Sequence, residues 1–141
     1  MAKISAGDLR QADLVRVISD LQARVKALEL QASVRSVTFV PVLESTSSTT
    51  LTRAAWTTFP RSGSSVTVDV SITLSGATSC QVQLRADGTQ IDTVNATASG
   101  VVTVSGFLPE TWAFGARKVV DVQVRVNSGS ATVAVVGGWH R

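Results

Sequence analysis

The feature that most constrains this chain is a strict two-residue alternation that recurs after residue 65. Val66, Val68, Val70, Ile72 and Leu74 alternate with Thr67, Asp69, Ser71 and Thr73. Successive side chains of a strand point to opposite faces, so this pattern specifies one buried and one wet face. The same rhythm returns in Cys80, Val82 and Leu84 against Gln81, Gln83 and Arg85. It returns again in Val120, Val122, Val124 and Val126 against Asp121, Gln123 and Arg125. Asp87-Gly88 lies between two such runs and is a strong signal for a two-residue hairpin. Further runs at Val34–Leu43, Leu51–Phe59, Thr89–Val94, Val101–Val104 and Ala131–Val136 bring the count to about eight short strands. Pro41 cannot donate to a ladder, which places the first of these runs at an edge or a bulge. Turn residues separate the runs, so an antiparallel sandwich of jelly-roll type is expected.

The first thirty residues obey a different period. Leu14, Ile18, Leu21, Val25, Leu28 and Ala32 are spaced alternately by four and three, the seam of a heptad repeat. Gly and Pro are absent from Asp8 to Ala32, and Asp8 with Gln11 forms a capping-box-like pair. A lone helix of this length is marginal in water and needs cover for its apolar row. With Leu14 at d and Ile18 at a, Arg24 at g meets Glu29 at e across a parallel interface. The oligomerisation residues are therefore Leu14, Ile18, Leu21, Val25 and Leu28. Ile and Val at a favour a dimer, whereas Val15 and Val17 widen the apolar face towards a trimer. A single amphipathic helix packed on its own domain is the alternative. The chain is thus expected to be mainly β with an N-terminal α-helix: a short coiled-coil stalk (1–33) followed by a β-sandwich head (34–141).

Composition narrows the function. Charged residues make up 16% of the 141 residues, low enough that much of the surface is expected to meet other copies or other proteins. The net charge is +3, but the basic residues are scattered along the sequence with no aromatic-laced stripe, so no nucleic acid is expected as a partner. No apolar run reaches membrane-spanning length, and MAKISAGDLR lacks the apolar core of a secretion signal. The single cysteine, Cys80, has no disulfide or metal companion and sits in a strand pattern, which suggests a buried thiol. The single histidine, His140, is the second-last residue and has no companions for a triad or metal site, so a structural role is expected. Among the β-region carboxylates only Glu44 and Glu110 fall in loops that could form a cleft, and nothing marks a catalytic pair. No enzyme, cofactor or metal is expected.

Trp56, Trp112 and Trp139 are the remaining candidates, because exposed indoles bind sugars and subunit partners. Trp112 and Phe114 are the preferred partner or glycan contacts, since Gly106–Ala116 is the longest irregular segment.

The layout resembles minor tail or fibre-like virion proteins of tailed phages that infect actinobacteria. An N-terminus without a leader, the heptad helix ISDLQARVKALE and a Val/Thr/Ser/Gly-rich head ending in VVGGWHR carry the resemblance. It implies a non-enzymatic virion protein, commonly a homotrimer, with other virion proteins and a host surface glycan as partners. A capsid decoration or head-fibre protein and a stand-alone carbohydrate-binding module are the alternatives.

Overall fold

A computed structural model describes residues 6–141, with side-chain surroundings described for 11–27 and 34–141. The chain divides at residue 34 into two compact units.

The first unit holds one helix, α1 (Ala6–Ser33). Its 28 residues span about 42 Å at the usual helical rise. Within the helix Leu14, Ile18, Leu21 and Val25 are each 44–58% exposed. Leu28 is helical, but its side chain lies outside the described surroundings. No helix among the described residues is long and apolar enough to cross a membrane.

The second unit contains seven long strands and three two-residue ones. These are β1 (Arg35–Ser36), β2 (Val40–Pro41), β3 (Ser45–Thr46), β4 (Thr52–Pro60), β5 (Ser65–Ser75), β6 (Cys80–Ala86), β7 (Thr89–Ala96), β8 (Gly100–Phe107), β9 (Arg117–Val126) and β10 (Ser130–His140). One antiparallel sheet runs β1-β10-β5-β8, with β3 also beside β10. The other runs β2-β4-β9-β6-β7. The single edge run expected over Val34–Leu43 is split into β1 and β2, and Pro41 sits on the β4 edge where its missing N–H costs nothing.

The alternating valines meet between the sheets. Val66, Val68, Val70, Val82, Leu84, Val104, Val120, Val122 and Val124 are completely buried there. Cys80 joins them, and burial pushes its thiol pKa up, so it stays protonated as a packing group. Asp87 and Gly88 close the β6–β7 hairpin with φ values of 51° and 79°. Positive φ at both central residues is what a type I′ turn requires, and Gly88 adopts it freely.

Three bulges decide which way side chains face. Ala54 interrupts β4 against β9, and both Ala54 and Ala55 are buried as a result. Ile91 is the extra residue of β7. In β10 the shift falls at Val136. Ala131, Val133 and Val135 face inward before it. After it the phase inverts, so Gly138 and His140 face inward and Trp139 faces out.

Candidate functional site

The loop preferred from sequence is part of the core. Trp112 is fully buried, contrary to the expectation that it would meet a partner. Its ring packs on Phe59 at 5.3 Å between centroids, and its indole N–H donates to Ala116 O at 2.7 Å. Arg61 holds the loop in place. Its guanidinium donates from Nη1 to Pro109 O and Trp112 O (2.9 and 2.6 Å) and from Nε to Gly63 O (2.8 Å). Phe114 remains 68% exposed, but the Arg61 guanidinium lies 4.5 Å from its ring centroid. Phe114 is therefore a cover for a buried cation, and the loop presents no indole to a ligand.

His140 completes the same cluster, with its ring 4.5 Å from Phe59. Its Nε2 accepts from the Ser62 and Gly63 amides at 2.9 and 3.0 Å, and Nδ1 lies 2.9 Å from Ser65 O. The neutral ring with a proton on Nδ1 satisfies all three contacts. Desolvation by burial lowers its pKa, opposed by the Ser65 carbonyl and reinforced by Arg35 and Arg61. A side chain at Gly63 would collide with the backbone of Arg141, so glycine is required at this close approach.

The outer face of the second sheet is built differently. Each ladder places its partners on one face, which brings Trp56, Asp121 and Arg85 into one row. The next row holds Arg53, Gln123 and Gln83, and the last holds Arg125, Gln81 and Asn95. Asp121 Oδ2 accepts from Arg53 Nε at 3.3 Å and from Gln123 Nε2 at 2.9 Å. Arg85 Nη1 reaches Gln123 Oε1 at 3.5 Å, and its Nη2 donates to Gly88 O at 2.8 Å. Gln83 donates to Gln90 at 2.7 Å, and Gln90 to Thr93 at 3.1 Å. Arg125 Nε donates to Gln81 Oε1.

These long side chains cover one another so well that Asp121 is only 3% exposed and Gln83 is also buried, although both point away from the core. Trp56 is half-buried beside them. Arg85 Nε is buried without a hydrogen-bond partner, a state that costs about 1–3 kcal/mol. Beyond Arg125 the face opens into a cleft of about 350 Å³ lined by Gln81, Asn95, Arg125 and Asn127. Asn127 orders the rim, its Oδ1 accepting from the Thr78 and Ser79 amides.

The arrangement offers planar amide and guanidinium groups in fixed positions beside one indole. A few convergent polar groups next to an aromatic surface are the usual makings of a small-molecule site. Among the described residues there is no cluster of three His, Cys, Asp or Glu side chains suited to a metal ion. The basic residues that look scattered in the sequence are partly gathered here, with Arg53, Arg85, Arg117 and Arg125 all on outward positions of this sheet.

No protein-family model matches the chain, and no curated protein matches it. Two solved structures are similar to it at a low level. One is the carbohydrate-binding module CBM36 in complex with calcium and xylotriose, with TM-score 0.43 and 10% identity over 76% of this chain and 97% of that one. The other is an acetyl xylan esterase, Est2A, from the rumen bacterium Butyrivibrio proteoclasticus, with TM-score 0.43 and 11% identity over 76% of this chain and 31% of that one. Likeness at this level carries no argument about function.

Proposed function

We propose that this protein is a non-enzymatic carbohydrate-binding adhesion module, multiplied by self-association of its helical stalk. The observation that carries the reading is the Trp56 indole set beside the ordered Arg53–Asp121–Gln123–Arg85 network on stiff neighbouring strands. Sugars present an apolar ring face and a rim of hydroxyl groups that both donate and accept, which an indole and fixed amides match. Hydrolysis of a glycoside needs two carboxyl groups across the bond. The network contains one, Asp121, already engaged by Arg53 and Gln123.

We read the head as a jelly roll. The order β1-β10-β5-β8 against β4-β9-β6-β7 is the four-on-four arrangement that two Greek keys generate. We read α1 as one strand of a parallel trimeric coiled coil, supported by its exposed row of Leu14, Ile18, Leu21 and Val25. Linking several weak sites raises avidity by orders of magnitude without improving any one of them. That plan suits a fibre-like virion component that touches a host surface glycan, on the tail or on the capsid.

The test is a glycan array probed with the full-length protein and with Trp56→Ala. The unmodified protein should retain a set of saccharides that Trp56→Ala loses while keeping its circular dichroism spectrum. Leu21→Asp should weaken retention on dense arrays and lower the mass seen by light scattering. Retention of no saccharide by the unmodified protein would sink the carbohydrate reading, and a monomeric mass at micromolar concentration would sink the stalk reading.

A further inference from the structure

We propose that the saccharide held by this face is acidic, with its carboxylate or phosphate groups meeting the guanidinium groups of Arg85 and Arg125. The inference rests on the carbohydrate reading of the second sheet and specifies its ligand class. It starts from charge. Four arginines, Arg53, Arg85, Arg117 and Arg125, occupy outward positions of the sheet, and the network among them contains one carboxylate, Asp121. Asp121 is spoken for by Arg53, the one ion pair among the described residues of this face. Arg85 and Arg125 make no ion pair among the described residues.

The partners these two arginines do have are neutral and carry no countercharge. Arg85 leans on a backbone carbonyl and on an amide oxygen at 3.5 Å, and its Nε has no acceptor. Arg125 gives Nε to the Gln81 amide at the mouth of the 350 Å³ cleft. Guanidinium groups bind carboxylate and phosphate through paired, charge-assisted hydrogen bonds that neutral hydroxyl groups cannot match. A neutral sugar laid here would offer the two cations hydroxyl acceptors but no countercharge.

Spacing adds to the case. Arg85 and Gln81, the partner of Arg125, are four residues apart on β6, roughly 13 Å along the strand. The amide of Gln83 lies on the same face between them. Two cations at that separation, joined by an amide, suit an oligosaccharide with repeated acidic groups better than a single acidic sugar. The outer face of the other sheet has no such set. Asp69 is the one charged residue among its outward positions on β5, β8 and β10.

The experiment measures binding of the full-length protein to four probes by calorimetry. These are an oligomer of galacturonic acid, a neutral galactose oligomer of equal length, a phosphorylated galactose oligomer and a single-stranded oligonucleotide. One or both acidic glycan probes should bind at least about tenfold more tightly than the neutral oligomer, and added salt should weaken them. Whichever binds identifies the acidic group. Arg125→Gln, at an exposed position, should weaken the acidic probe about tenfold and the neutral one by clearly less. Equal binding of acidic and neutral oligomers, or an indifferent Arg125→Gln, overturns the acidic ligand while the carbohydrate reading stands. Binding of no saccharide, or tightest binding of the oligonucleotide, overturns both.

Discussion

The two outer faces of the sandwich share one period-two pattern and differ in almost everything a ligand would meet. On the first sheet the outward positions carry short side chains. Thr67 and Ser105 pair hydroxyl to hydroxyl at 2.9 Å, and Thr103 donates to Asp69 at 2.6 Å. Trp139 lies over Gly137 on that face, and no polar network surrounds it. On the second sheet the outward positions carry Arg, Gln and Asp, long enough to bridge from one ladder to the next. Short hydroxyls satisfy one neighbour each and leave a quiet surface. Long planar groups form a connected network that fixes their rotamers and prepares them for a ligand.

The largest expected effect should break both faces together. Trp112→Ala removes a fully buried side chain from the shared core and should cost about 3–5 kcal/mol, read as a lowered melting temperature. Loss of saccharide binding at an unchanged melting temperature would instead return Trp112 to the ligand site.

A smaller effect should come from the inward-facing end of β10, between the two faces. The folded-state pKa of His140 lies below its ordinary value of 6.5. The unfolded chain therefore binds more protons as pH falls, and the stability contributed by the neutral ring is present above about pH 6.5. It is lost as pH drops from there through the depressed folded value, by at most about 1.4 kcal/mol per pH unit. Urea unfolding from pH 7.5 down to 5 should show this slope, and His140→Asn should flatten it. An identical slope in the variant would assign the titration elsewhere.

The smallest effects compare the faces position by position. Asp121→Asn should cost about 1 kcal/mol, because Arg53 and Gln123 lose a charged acceptor of which one partner is half exposed. Thr67→Ala on the first face should stay within about 0.5 kcal/mol. Equal costs in chemical denaturation would mean that the second face is no more a network than the first.

Much of the fold was legible in residue order. The run expected at Val66–Leu74 is β5, Ser65–Ser75, and the runs at Cys80 and Val119 became β6 and β9 with ends moved by a residue or two. The β10 ending was misread. Gly137 and Gly138 look like a strand stop after Val136, but they lie inside an eleven-residue strand just past a bulge. The site was legible only in part. The polar partners of β6 and β9 were visible as wet faces, but Arg53, Arg85 and Arg125 are far apart in sequence and only the strand order brings them to one surface.

What the sequence determines by itself here is local periodicity: the heptad of α1, the two-residue alternation and the Asp87-Gly88 turn. Each follows from backbone geometry within a few residues. Tertiary structure decides the rest, because facing and neighbourhood are set across strands. The bulge at Val136 turns His140 inward and Trp139 outward. Carbonyls of Pro109 and Trp112 meet the Arg61 guanidinium 48 and 51 residues away in the chain, and that meeting draws Trp112 into the core. An indole in a long loop reads as a ligand contact until a distant cation finds the loop's carbonyls, since a buried guanidinium must be given acceptors wherever the fold supplies them.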